Sequence, residues 1–125
     1  SQLDNVKSFD TALVAPHYFA IIYNRNIVDS AELTGRIHQI NNSQYTALKL
    51  ETDIVKWSKN ENILLIKEFA SKGLAKNYAE NMEKKVFSIM KNIGAMHFVI
   101  SSANYVTLLE FKEEEKYLKF YKERY

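Results

Sequence analysis

The sequence is short of the residues that most often mark chemistry. It has no cysteine, one proline and three glycines in 125 residues. Without cysteine, disulfides, thiolate catalysis and cysteine-ligated metal are excluded. The compartment stays open, because a cysteine-free domain suits cytoplasm and periplasm alike. So few glycines argue against a glycine-rich phosphate loop and for short, regular connections. The formal charge of +2 is too small by itself to indicate a nucleic-acid partner. No apolar run approaches the roughly 20 residues that span a bilayer, and there is no secretory signal. The first residue is Ser1 rather than Met, which predicts a processed chain or an excised piece of a longer protein.

What is present is enough for one folded domain. Hydrophobic residues make up 46% and charged residues 26%, an ordinary globular balance. Residues 1–15 read as a leader or linker in which Val6, Phe9 and Leu13 pack locally, and the domain runs from Pro16 to Tyr125. His17–Tyr23 is apolar without alternation, the mark of a strand covered on both faces. Asp29 is placed to cap a helix over 29–42, with Glu32 completing a capping box and Val28 and Leu33 forming a staple. Leu33, Ile37 and Ile40 are its buried stripe. Ala47–Trp57 alternates apolar with charged residues and reads as an edge strand, and Ser58–Asn62 as a hairpin connection. Ile63–Ile66 is a further solid strand.

The second helix is predicted over 71–93, with Ser71 as its cap, Leu74, Tyr78, Met82, Val86, Ile89 and Ile93 as its stripe, and Gly94 beyond its end. Met96–Ser101 is the fourth strand, and Ser102–Leu109 is left unassigned. A third helix is predicted over 111–125, with the stripe Phe111, Tyr117, Leu118, Tyr121 and Tyr125. The order β-α-β-β-α-β predicts an α+β, ferredoxin-like two-layer sandwich: a four-stranded antiparallel sheet with helices on one face, plus an extra C-terminal helix. Helices on one face leave the other uncovered, yet the strands are apolar on both. Either the tail helix closes that face, or a partner or second copy does. The tail helix is the favoured cover.

Candidate sites are weak on chemistry. His17 and His97 open neighbouring antiparallel strands, so they fall at opposite ends of the sheet, and His38 has no ligand at i+4. A metal needs convergent ligands, and no metal or other cofactor is predicted. Glu113–Glu115 alternate with Lys112, Lys116 and Lys119 as a solvated helix face does, and Glu51 and Asp53 lie beside Lys49. No serine sits in a nucleophile elbow, so no catalytic residue is assigned and no enzyme is predicted. The third strand lacks the glycines and paired aromatics that an RNA-recognition motif stacks bases on, so no nucleic-acid partner is expected. The aromatic and charged groups expected at the sheet edge and tail helix are Trp57, Lys49, Lys56, Tyr117 and Tyr121, in a contact role.

Five segments carry a resemblance: His17-Tyr-Phe-Ala-Ile-Ile-Tyr23, Lys67-Glu-Phe-Ala-Ser-Lys-Gly-Leu-Ala75, Phe98-Val-Ile-Ser101, Asn104-Tyr105 and Glu115-Lys-Tyr-Leu-Lys-Phe-Tyr121. Together they resemble the C-terminal domain of the tetratricopeptide-repeat lipoproteins of Bacteroidetes linked to gliding motility and type IX secretion. The resemblance covers residues 16–125 and rests on packing patterns. It implies a non-catalytic, periplasm-facing cell-envelope domain that works through protein partners of an assembly. More distantly, Ile66–Ala75 is similar to sporulation-related repeat (SPOR-like) domains, which bind peptidoglycan glycan strands. This chain lacks their glycine before Phe69 and any internal duplication. Three readings follow: an envelope interaction domain, a glycan binder using the open sheet face, and a small-molecule regulatory domain of the ferredoxin-like kind. Only the last normally needs glycine-rich turns. A homodimer through the open sheet face accompanies the first.

Overall fold

β1 (His17–Asn24) is the pivot of the fold, because its neighbours pair with it on both sides. The computed structural model describes residues 16–87 and 95–125, without the side chains of 86 and 87. A helix α1 (Ser30–Gln44) follows β1, and β2 (Glu51–Lys56) and β3 (Glu61–Phe69) form a hairpin. Helix α2 (Lys72–Met82) runs on into a π-helical turn over Glu83–Phe87, and β4 (Met96–Ser101) completes the sheet. Two helices end the chain, α3 (Ser102–Phe111) and α4 (Glu114–Arg124). The sheet order is β2-β3-β1-β4, antiparallel throughout, which is the ferredoxin-like arrangement the element order predicts.

The helix caps are those the sequence offers. The Asp29 carboxylate accepts from the amides of Ala31 (2.9 Å) and Glu32 (3.2 Å), satisfying donors that the first turn leaves open. Glu32 turns outward to Arg36 at 3.1 Å. The Ser71 hydroxyl accepts from Leu74 N at 3.3 Å at the start of α2. The remainder of the second predicted helix, its stripe at Val86, Ile89 and Ile93, and Gly94 lie outside the described residues or side chains.

Alternation along β1 divides the core in two. Phe19, Ile21 and Tyr23 face α1 and α2, meeting Leu33, Ile37, Ala75, Tyr78 and Met82. Ala20 and Ile22, with Ile63, Leu65, Phe98 and Ile100, point the other way and meet Leu108 of α3 and Tyr117 of α4. Each such side chain, fully buried, contributes roughly 1.5–3 kcal/mol, so neither face could stay bare without cost. The tail therefore closes the second face, as favoured from the sequence, but with two helices.

Three expectations are corrected. The tail does not begin a helix at Phe111; that residue ends α3, and Lys112 breaks the chain there with φ 55°. Residues 102–111 are helical because the Ser101 hydroxyl caps them, accepting from Asn104 N at 3.1 Å. The strand predicted from Ala47 starts only at Glu51, since Thr46–Leu48 form a 3-10 turn that Lys49 ends at φ 52°. Finally, the second sheet face is closed by the chain's own helices, so a homodimer or a glycan strand has no open sheet face to use.

Candidate functional site

The two edges of the sheet are treated differently. In an antiparallel pair, residues alternate between bonding their neighbour and pointing away from it. The bond from Ser102 N to Pro16 O (2.9 Å) sets that alternation for β1 and β4, so that Val99 points its backbone groups outward. Helix α4 lies along this edge, and the Tyr117 hydroxyl donates to Val99 O at 2.6 Å. Ring contacts with Phe98 (5.0 Å) and Phe120 (5.5 Å) hold Tyr117 in place. Its burial pushes the phenol pKa well up, with Tyr125 acting in the same direction.

On the opposite edge, the bond from Trp57 N to Glu61 O (2.9 Å) sets the alternation for β2 and β3. Glu51, Asp53 and Val55 thus bond β3, while Thr52, Ile54 and Lys56 direct their backbone N–H and C=O outward. Among the described residues β2 pairs with β3 alone. Ile54 is 39% exposed, and Lys56 and Lys49 are exposed. The edge is thus a row of available donors and acceptors with an apolar side chain at its centre.

The five residues expected at contact surfaces divide accordingly. Lys49 and Lys56 flank the β2 edge. Trp57 and Tyr117 are buried, at 5% and 0% exposure, which corrects their expected exposure. The Lys112 ammonium lies 3.9 Å from the Trp57 ring centre and donates to Trp57 O at 3.2 Å, covering the indole. Tyr121 is half-buried, and burial, with Glu83 second, pushes its phenol up to about 12. The outward backbone of β2 was not singled out from the sequence; only the phase of the hairpin hydrogen bonds identifies it.

The histidines do not converge. His17 is buried with Nε2 2.8 Å from the Tyr125 hydroxyl, and His38 Nε2 is 2.9 Å from Thr52 Oγ1. His97 lies at the far end of β4 from His17, as expected, 3.8 Å from the Glu83 carboxylate. Burial lowers the His97 pKa, and Glu83 offsets part of that. Among the described residues no three His, Asp or Glu side chains gather as metal ligands would, and no helix is long and apolar enough to cross a membrane. A shallow depression beside α4, with Met96, Leu118 and Tyr121 in its wall and Lys122 at its rim, adjoins His97. No family model matches the chain, and neither a curated protein nor a solved structure matches it.

Proposed function

We propose that this chain is a non-catalytic protein-interaction domain of a cell-envelope protein, and that it takes its partner by strand addition at the β2 edge. The observation that carries this reading is the asymmetry of the sheet. The β4 edge is covered by α4 and bonded by Tyr117, whereas Thr52, Ile54 and Lys56 of β2 present an unpaired row among the described residues. Such a row supplies main-chain bonds to an extended peptide, and alternate side chains give selectivity. Glu51 and Asp53, exposed on one face, favour a partner strand with basic residues there. The envelope setting, in a secretion or gliding-motility assembly, follows the sequence resemblance.

The test is co-purification from native membranes of a bacterium carrying the protein, with wild type and Ile54→Pro compared. Proline at 54 deletes an outward N–H and leaves the β2–β3 bonds in place, an edge position that tolerates it. We expect a secretion or motility component with the wild type and at least a roughly tenfold loss with Ile54→Pro at unchanged circular dichroism. Recovery of such a component equally well by both would refute strand addition; recovery of none would count against the envelope assembly.

A further inference from the structure

The β2 edge carries opposite charge on the two faces of the sheet. Thr52, Ile54 and Lys56 stand opposite Ile66, Leu64 and Asn62 on the side of α1, where the His38 ring bonds Thr52. Lys56 is exposed, and among the described residues no carboxylate lies within ion-pair distance of it. Glu51, Asp53 and Val55 stand opposite Lys67, Leu65 and Ile63 on the side of α3. There the Lys67 ammonium is 3.4 Å from Asp53 and 5.3 Å from the Tyr18 ring centre, so one cation serves two exposed carboxylates. Tyr105 of α3 borders this side. Its ring meets Tyr18 at 5.9 Å, and burial raises its phenol pKa, with the Asp53 carboxylate adding to the rise. The edge is therefore positive on one face and negative on the other, with Ile54 and Val55 between.

We propose that the strand added here is antiparallel to β2 and reads, from its N-terminus, acidic, apolar, apolar, basic, any residue, basic. This rests on strand addition at that edge and names the partner's chemistry. Residues directly opposite on one face are the pairs that stabilise a sheet, opposite charges attracting and like charges repelling. The acidic residue falls opposite Lys56, the apolar pair opposite Val55 and Ile54, and the basic residues opposite Asp53 and Glu51. Every strand pair in this sheet is antiparallel, the more stable arrangement per residue. A second copy of the chain does not match this edge. To bond at all three outward residues, two copies of β2 must pair about Ile54. That sets Lys56 against Thr52 and Asp53 against Val55, so no charge meets its opposite.

The probe is a blocked, fluorescently labelled peptide of glutamate, valine, isoleucine, lysine, threonine and lysine, compared with one in which the acidic and basic positions are exchanged. Anisotropy titrations against the full chain should favour the first peptide by about tenfold, because three cross-strand pairs change from attraction to repulsion. Glu51→Lys with Asp53→Lys and Lys56→Glu should reverse that preference, and Ile54→Pro should lose the first peptide. Equal affinity for both peptides, lost for both in Ile54→Pro, would overturn the charge pattern and leave strand addition standing. Binding of the first peptide that Ile54→Pro leaves unchanged would overturn the pattern and strand addition together. Binding of neither would overturn the pattern, and the co-purification above tests strand addition by itself. Dimers of the chain in sedimentation, broken by Ile54→Pro, would assign the edge to a second copy and sink the proposal too.

Discussion

At the scale of residues, Tyr117 decides whether the tail can lie where it does. Its ring is fully buried, and its hydroxyl is the donor that answers the outward carbonyl of Val99. A buried carbonyl deprived of its donor costs about 1–3 kcal/mol, more than the hydrogen bond contributes net. Tyr117→Phe keeps the ring and removes the hydroxyl, with its bond to Val99 O and its interaction with Tyr125, so it should lower the unfolding free energy by at least that amount. Lys119→Ala, on the exposed side of the same helix, should change it by no more than about 0.5 kcal/mol. Urea denaturation compares the two. A loss for Tyr117→Phe no larger than for Lys119→Ala would mean that water reaches Val99 and that α4 does not seal the edge.

At the scale of elements, α3 packs on the sheet through Leu108, and the residue that ends it adds a polar tie to the hairpin. Lys112 has left-handed backbone geometry and places its ammonium over Trp57 and against the Trp57 carbonyl. Cation–π attraction of about 0.5–2 kcal/mol and a hydrogen bond of about 0.5–1.5 kcal/mol are at stake. Lys112→Ala loses both and keeps the backbone strain. Lys112→Gly loses both but relieves the strain, so it should be the milder change by roughly 1 kcal/mol. Trp57 is the sole tryptophan, so its emission reports directly on this contact and should move to the red in both variants. An unshifted emission would show that Lys112 does not cover the indole.

The same elements show what the sequence made legible. β1 and β4 were readable because an unbroken apolar run has one explanation, a strand buried on both faces. The caps Asp29 and Ser71 were readable because a short acceptor before an apolar stripe has few other uses. α3 was not, because Val106, Leu108, Leu109 and Phe111 follow one another without a period that distinguishes helix from strand. Leu48 and Leu50 imitated strand alternation while Lys49 turned the chain. The contact residues were half legible. Lys49 and Lys56 are at the surface, but the burial of Trp57 and Tyr117 depends on two helices arriving from the far end of the chain. The charged alternation of β2 marked it as an edge strand, but which of its residues direct their backbone outward depends on the hairpin register, which side chains do not encode.

At the scale of the whole molecule, buried tyrosines tie the layers together and set a response to alkali. Tyr78 links α2 to α1 through Asn41 at 2.7 Å, Tyr117 links α4 to β4, and Tyr121 packs against both cores. Burial raises the pKa of all three above the usual 10, that of Tyr121 to about 12. Below pH 10 these phenols are protonated both folded and unfolded, so stability should not respond to them. Above pH 10 the unfolded chain releases their protons and the folded chain keeps them. Stability must then fall as pH rises, by about 1.4 kcal/mol per pH unit for each such group until its folded pKa is reached. With typical domain stabilities of roughly 5–15 kcal/mol, three groups are enough to unfold the protein within a few pH units. Tyrosinate absorbance near 295 nm, followed with far-ultraviolet circular dichroism, separates the outcomes. The late fraction of tyrosines should ionise together with loss of secondary structure, and the change should broaden in Tyr78→Phe. If every tyrosine titrated near pH 10 with the circular dichroism unchanged, α4 would have to stand away from the sheet, and the seal on the β4 edge would be gone.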